Sequence, residues 1–236
     1  MKMEWAPGKE HFRWIRSVKY KKIDDHVDYF VERDGDILYV LFQESNDKED
    51  WASNLNFFQE EFVTMSGTKV KAHRGIKKQY IAVQKILFDA VLKDGVKVVR
   101  GSGFSLGCGL LSFFVLDLAE YVKKNNLDIK IEAFGYSGPR VFKGNRYVKK
   151  LMKKSFVHIK NRCDPVVHVP WKVMPTFFYF RWGPFKLHID WKGLFKGRLT
   201  RWMHVGKQVW IGKLWPWPVK HKPEEIEKSL QKKYGR

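Results

Sequence analysis

The stretch Val96–Leu118, VKVVRGSGFSLGCGLLSFFVLDL, decides the architecture of the whole chain. Its first residues, Val96 to Val99, are a short β-branched run that reads as a buried strand. A glycine-dense turn follows, and then a long apolar segment with few breakers that reads as a buried helix. Inside the turn lies Gly103-Phe104-Ser105-Leu106-Gly107, a G-x-S-x-G pattern. In this pattern a serine sits on a sharp strand-to-helix turn, and the flanking glycines relieve crowding around a strained backbone. The bare motif is weak in a chain with 18 glycines. The strand before it and the helix after it supply the missing context, and Ser105 becomes the candidate nucleophile.

A chain of 236 residues suffices for one sizeable core, so a single domain over 1–236 is expected. Hydrophobic residues at 44% and charged residues at 30% are a globular balance. The charge is lopsided: 45 Lys and Arg against 25 Asp and Glu leave +20. Such a field favours anionic partners, an acidic membrane surface or an acidic substrate among them. No zinc-finger spacing, basic zipper or RNA-recognition signature is present, so no specific nucleic-acid partner is expected. Cys108 and Cys163 make no disulfide framework and read as buried thiols. The scattered histidines lack ligand spacing, and neither a metal nor a cofactor is expected. The N-terminus has no signal-peptide core, and Leu106–Leu118, the longest apolar run, is too short to span a bilayer. A cytoplasmic or peripheral membrane location is the expectation.

Before the opening stretch, residues 1–22 are basic and aromatic and suit a peripheral helix or arm. Two β-rich runs, Val27–Arg33 and Ile37–Phe42, flank Asp34-Gly35-Asp36, a hairpin signal. The second is apolar on both faces and is expected to be central. Val70–Gly75 reads as a short extended piece and Lys77–Lys93 as an amphipathic helix. Beyond residue 118 come strands at Asp128–Gly135 and Phe156–Lys160, with a short basic helix between Asn145 and Lys154. Strand–helix alternation from 70 to 160 predicts an α/β fold on a largely parallel sheet. Residues 171–220 are aromatic and basic, broken repeatedly by proline and glycine. The tail, Pro223–Tyr234, is a helix with acids first and lysines last, matched to its dipole.

A serine hydroxyl needs a histidine to take its proton, and that histidine needs a carboxylate to fix its tautomer. In the α/β-hydrolase arrangement the chain order is serine, acid, histidine. Asp164 directly follows a strand, where side chains project into the carboxyl edge of an open sheet. As a lone Asp-Pro it would be an ordinary turn starter.

Several stretches together resemble the class 3 (fungal-type) lipase family. Gly103-Phe-Ser-Leu-Gly-Cys-Gly-Leu110 resembles its Gly-His-Ser-Leu-Gly-Gly-Ala-Leu, and Ala133–Val141 its Thr-Phe-Gly-x-Pro-Arg-Val segment with one or two residues inserted. Asn161–Pro170 is similar to Asn-x-x-Asp-Pro-Val-x-x-x-Pro. Leu41–Ser45 with Asp50-Trp51 resembles Phe-Arg-Gly-Thr…Asp-Trp, and His73-Arg-Gly75 resembles His-x-Gly. Five matches in order, from about residue 37 to 221, make chance an unattractive explanation.

The resemblance implies the α/β-hydrolase fold, Ser105 as nucleophile and Asp164 as triad acid. It implies oxyanion donors at Leu106 and Ser45, and a lid near residues 46–60. For the base, His168 is too close to Asp164 in an extended run, and nothing singles out His188. His204 matches a family histidine that is not usually the base. His221, just ahead of the terminal helix, matches the place of the family's catalytic histidine. Phe104 stands where the family has histidine, Cys108 where it has glycine, and Gln43-Glu44 where it has Arg-Gly. The implied activity is hydrolysis of lipid or other acyl esters, with segment 171–220 as an interfacial surface. The net charge favours phospholipid or another anionic ester over neutral triglyceride. The altered oxyanion loop motivates an alternative: a catalytically weak relative that binds a membrane surface or anionic partner.

Overall fold

The computed structural model describes residues 5–23, 27–43, 58–162, 164–170, 173–175, 178–181, 186–189, 199–212 and 221–235, and within 173–200 the backbone alone. Helix α1 (Lys9–Ser17) precedes β1 (Lys21–Ile23) and the hairpin of β2 (Val27–Asp34) and β3 (Ile37–Phe42). That hairpin turns at Gly35, whose φ of 62° suits a residue without a β-carbon. A second hairpin, β4 (Gln59–Val63) and β5 (Lys69–His73), leads into α2 (Arg74–Val91). Then come β6 (Val98–Phe104), α3 (Leu106–Lys124), β7 (Lys130–Tyr136), β8 (Phe142–Lys143), α4 (Arg146–Met152) and β9 (Phe156–Asn161). A 3-10 turn at Pro165–His168 follows, then β10 (Val173–Pro175), β11 (Phe178–Arg181) and β12 (Lys186–Ile189). The chain continues through β13 (Leu199–Met203), β14 (Lys207–Ile211) and α5 (Pro223–Tyr234).

The central sheet has seven strands in the order β1-β2-β3-β6-β7-β9-β14. From β3 to β14 every pairing is parallel, and only β1 and β2 run against their neighbours. Side chains of a strand alternate between faces, and strands buried on both faces need apolar residues at every position. On one face Val40, Phe42, Val99, Ala133 and Phe156 pack beneath α2 and α3. On the other, Leu41, Phe104, Tyr136, Ile159 and Ile211 pack against Phe12 and Ile15 of α1 and Ile226 and Leu230 of α5. Helices therefore cover both faces. Among the described residues no helix is long and apolar enough to cross a membrane.

Three local expectations are corrected. The strand of the opening stretch runs on through Gly101-Ser102-Gly103 to Phe104 instead of stopping at Val99. These small residues are in the ladder because α3 crosses close: a β-carbon on Gly101 would lie 2.7 Å from Leu111 Cδ1. Strand β5 does not join the parallel sheet; it belongs to an antiparallel sheet of order β10-β13-β8-β5-β4. Helix α2 starts three residues earlier than the apolar pattern suggests, because His73 Nδ1 caps it by accepting from Ile76 N–H at 3.4 Å. The β4–β5 turn is fastened to the helices through buried Asp117, which accepts from Met65 N–H (2.7 Å), Tyr80 Oη (2.8 Å) and Gln84 Nε2 (2.6 Å).

Because β3, β6, β7 and β9 are parallel, their carboxyl ends at Phe42, Phe104, Tyr136 and Asn161 gather at one edge of the sheet. In open α/β sheets that edge is where chemistry is done.

Candidate active site

Ser105 joins β6 to α3 with φ 55° and ψ −120°. A non-glycine residue there stores roughly 1–3 kcal/mol of strain, which the surroundings must over-determine. They do. Ser105 N–H donates to Tyr136 O at 2.9 Å, and its own carbonyl accepts from Cys108 N–H at 3.1 Å. A β-carbon on Gly103 would drive into the Gly107 carbonyl, and one on Gly107 into the carbonyls of Phe42 and Gln43. The two motif glycines thus let β6, the helix start and the end of β3 close on one another. Leu106 opens α3. Its N–H belongs to the first turn, whose donors have no partner within the helix.

Asp164 follows β9 in a turn closed by its N–H on Asn161 O at 3.2 Å. Its Oδ1 accepts from Val166 N–H at 2.9 Å, capping the 3-10 turn, so the carboxylate is fixed in aim and almost fully buried. Its Oδ2 faces His221 Nδ1 at 2.6 Å. His221 Nε2 lies 2.8 Å from Ser105 Oγ. A carboxylate only accepts, so Nδ1 carries the proton and donates to Asp164. Nε2 is then a lone pair, and the Ser105 hydroxyl donates to it. The ring of Phe104 stacks on the imidazole, with centroids 4.9 Å apart and planes 19° apart. Chemically, an imidazole oriented in this way can accept the hydroxyl's proton, and the hydroxyl sits where β6 turns into the first turn of α3.

The other histidines are placed elsewhere. His204 Nε2 donates to Val167 O at 2.7 Å, and its ring stands edge-on to His158 at 4.6 Å. His168 Nε2 donates to Arg162 O at 3.1 Å and its ring lies over Trp210. It sits in a 3-10 turn, not in the extended run expected. His188 contributes backbone to β12. Ser45 and Cys163 lie outside the described residues, as do residues 46–57 of the lid expected near 46–60 and, for side chains, most of 171–220. Within that aromatic segment Trp202 is buried, at 2% exposure.

Two features escape sequence reasoning. Cys108 fills a space bounded by Gly135 and Gly138, where either glycine's β-carbon would collide with its sulfur. Its thiol faces His158 Nε2 at 3.6 Å, and burial pushes its pKa upward, which disfavours the reactive thiolate. His158 Nε2 also accepts from Gly138 N–H at 3.3 Å, and burial first, then the Lys160 charge, lowers its pKa to about 3. The available signal was the alternation Phe156, His158, Lys160 along β9, which places this histidine directly behind the elbow. The second feature is Phe104 against His221, which no spacing rule announces.

A family model described as Lipase (class 3) matches residues 39–174. No curated protein matches the chain in sequence. Among solved structures, the Rhizomucor miehei triacylglyceride lipase superposes with a TM-score of 0.58 at 20% identity, over 83% of this chain and 66% of that one. The native Rhizomucor miehei lipase propeptide complex gives 0.57 at 20% identity, over 83% and 56%. The lipase from Rhizopus microsporus var. chinensis gives 0.51 at 17% identity, over 79% and 69%. The chain spans roughly half to two thirds of the length of the two Rhizomucor structures. These likenesses, with the mostly parallel sheet covered on both faces, make the fold that of the α/β-hydrolases.

Proposed function

The chain belongs to the class 3 lipase family, and from that premise we propose that it is a serine ester hydrolase acting on lipid or other acyl esters. The observation that carries this is His221 spanning Ser105 Oγ and Asp164 Oδ2 at 2.8 and 2.6 Å. Ser105 Oγ attacks the ester carbonyl while His221 Nε2 takes its proton, and Asp164 stabilises the imidazolium. The tetrahedral oxyanion is held by Leu106 N–H and, as the family resemblance implies, by Ser45. Collapse expels the alcohol, which leaves with the proton from His221. Water then attacks the acyl-enzyme by the same route and frees the acid.

Hydrolysis of a p-nitrophenyl ester by wild type and by Ser105→Ala tests this. The variant is expected to lose about 10⁴-fold or more in kcat, the scale seen when a nucleophile is removed from such a unit. Equal rates, or no hydrolysis by wild type, would overturn the proposal.

The net charge of +20 supports an anionic lipid surface as the working interface. Dispersed lipid ester should be cleaved faster when the vesicles carry anionic phospholipid. Raising salt to about 1 M, where the screening length is about 3 Å, should erase the advantage. Equal rates on neutral and anionic vesicles at low salt would remove the electrostatic part.

A further inference from the structure

Resting on the reading of His221 as the base, we propose that Phe104 and helix α1 are its positioning elements, through an aromatic column Phe12–Phe104–His221. His221 precedes α5 and is not part of it. Its two ring nitrogens are held by Asp164 and Ser105, and those two bonds do not by themselves set the tilt of the ring about the line joining them. A contact on its face restricts that tilt. Phe104 supplies it, nearly parallel to the imidazole at 4.9 Å.

Phe104 is itself fixed. It is the last residue of β6, 2% exposed, and its neighbour in sequence is the nucleophile. Phe12, fully buried in α1, meets it edge-on at 5.4 Å and 90°. Phe12 also packs on Tyr136 at 5.0 Å, the residue whose carbonyl anchors Ser105 N–H.

The helix that carries Phe12 is bolted to the helix that follows His221. Arg13 Nε donates to Glu227 Oε2 at 2.8 Å, and Ile15, Ile226 and Leu230 are buried in the same cluster. A helix from the start of the chain and the segment leading into its last helix therefore hold one imidazole between them. Both ends of the column lie outside residues 39–174, the part matched by the family model.

The column has an electrostatic consequence. In the acyl-transfer step His221 becomes an imidazolium, and an aromatic face attracts a cation more than a neutral ring. Phe104 thus favours the protonated state that forms in the reaction. Phe104→Leu keeps the imidazole covered and removes the π face.

The test is the pH dependence of kcat and KM for wild type, Phe104→Leu, Phe104→His and Phe12→Leu, with labelling of Ser105 by a fluorophosphonate on each. Phe104→Leu is expected to lose roughly 10–100-fold in kcat with KM changed less than about threefold, and the acid limb of its pH profile should move lower by roughly 0.5–1 in pH. Phe104→His keeps a flat ring and should recover kcat at pH 8 to within about threefold of wild type. Phe12→Leu does not touch the imidazole and should show a smaller loss of the same kind, about 3–10-fold. It also carries the test should Phe104→Leu fail to fold. Wild-type kcat and an unmoved acid limb in both leucine variants would overturn the inference and leave the hydrolase reading standing. A wild type that neither hydrolyses esters nor labels at Ser105 would overturn both.

Discussion

Between pH 7 and pH 5 the fold is expected to lose roughly 8 kcal/mol of stability, a large share of the roughly 5–15 kcal/mol that folded proteins have. The source is four of the chain's eight histidines, His11, His73, His158 and His204, all buried. Burial lowers the pKa of His11 to about 3, of His73 to about 4 and of His158 to about 3. Burial and the neighbouring His158, Lys160 and Arg140 lower that of His204 as well.

The unfolded chain protonates these rings near pH 6.5 while the folded chain keeps them neutral. Between those values the unfolded state binds more protons. Each ring therefore contributes stability that is present above about pH 6.5 and is lost as pH falls toward its folded value. Each pH step of one below 6.5 removes about 1.4 kcal/mol per ring, so four rings cost roughly 2 kcal/mol each at pH 5. Asp117, whose pKa burial raises, acts in the opposite sense, but it is one group against four. Urea unfolding at pH 8, 7, 6 and 5 should show a midpoint that drops steeply below pH 6. A midpoint unchanged from pH 8 to pH 5 would contradict the neutral, buried state of these rings.

Removal of the base is expected to have the second large effect. His221→Ala leaves Ser105 with no acceptor for its proton, and kcat/KM should fall about 10⁴–10⁶-fold. Asp164→Asn keeps the acceptor that caps Val166 but no longer requires the proton on Nδ1. Its loss should be about 10⁴-fold, with KM changed little. His204→Gln preserves a donor to Val167 O and should keep kcat within about threefold of wild type, since His204 bonds away from the serine. A His204 variant as damaged as His221→Ala would reassign the base.

Much of this site is legible in the sequence because its parts are local. A strand running into Gly-x-Ser-x-Gly and then an apolar helix specifies the elbow within a dozen or so residues. The terminal helix is marked at both ends by Pro223 and by its charge order, and the structure has it at Pro223–Tyr234. Asp164 is announced by the strand it follows.

What stays hidden is relational. The alternation of β5 shows a strand but not its partners, which are β4 and β8 of the second sheet. The glycines of β6 look like a turn until α3 is placed across them. His158 looks like an ordinary strand residue, and its pairing with Cys108 depends on two segments 50 positions apart. Phe104 reads as a departure from the family pattern, and only the folded chain sets its ring on His221.

The proposed reaction depends above all on Ser105 being a nucleophile activated by His221. A fluorophosphonate tests it most directly, with the adduct located by intact mass and peptide mapping. A single adduct on Ser105 is predicted, slowed by excess ester and at least about 10³-fold slower in His221→Ala. No adduct on the folded wild type, or labelling of Ser105→Ala at the wild-type rate, would contradict it.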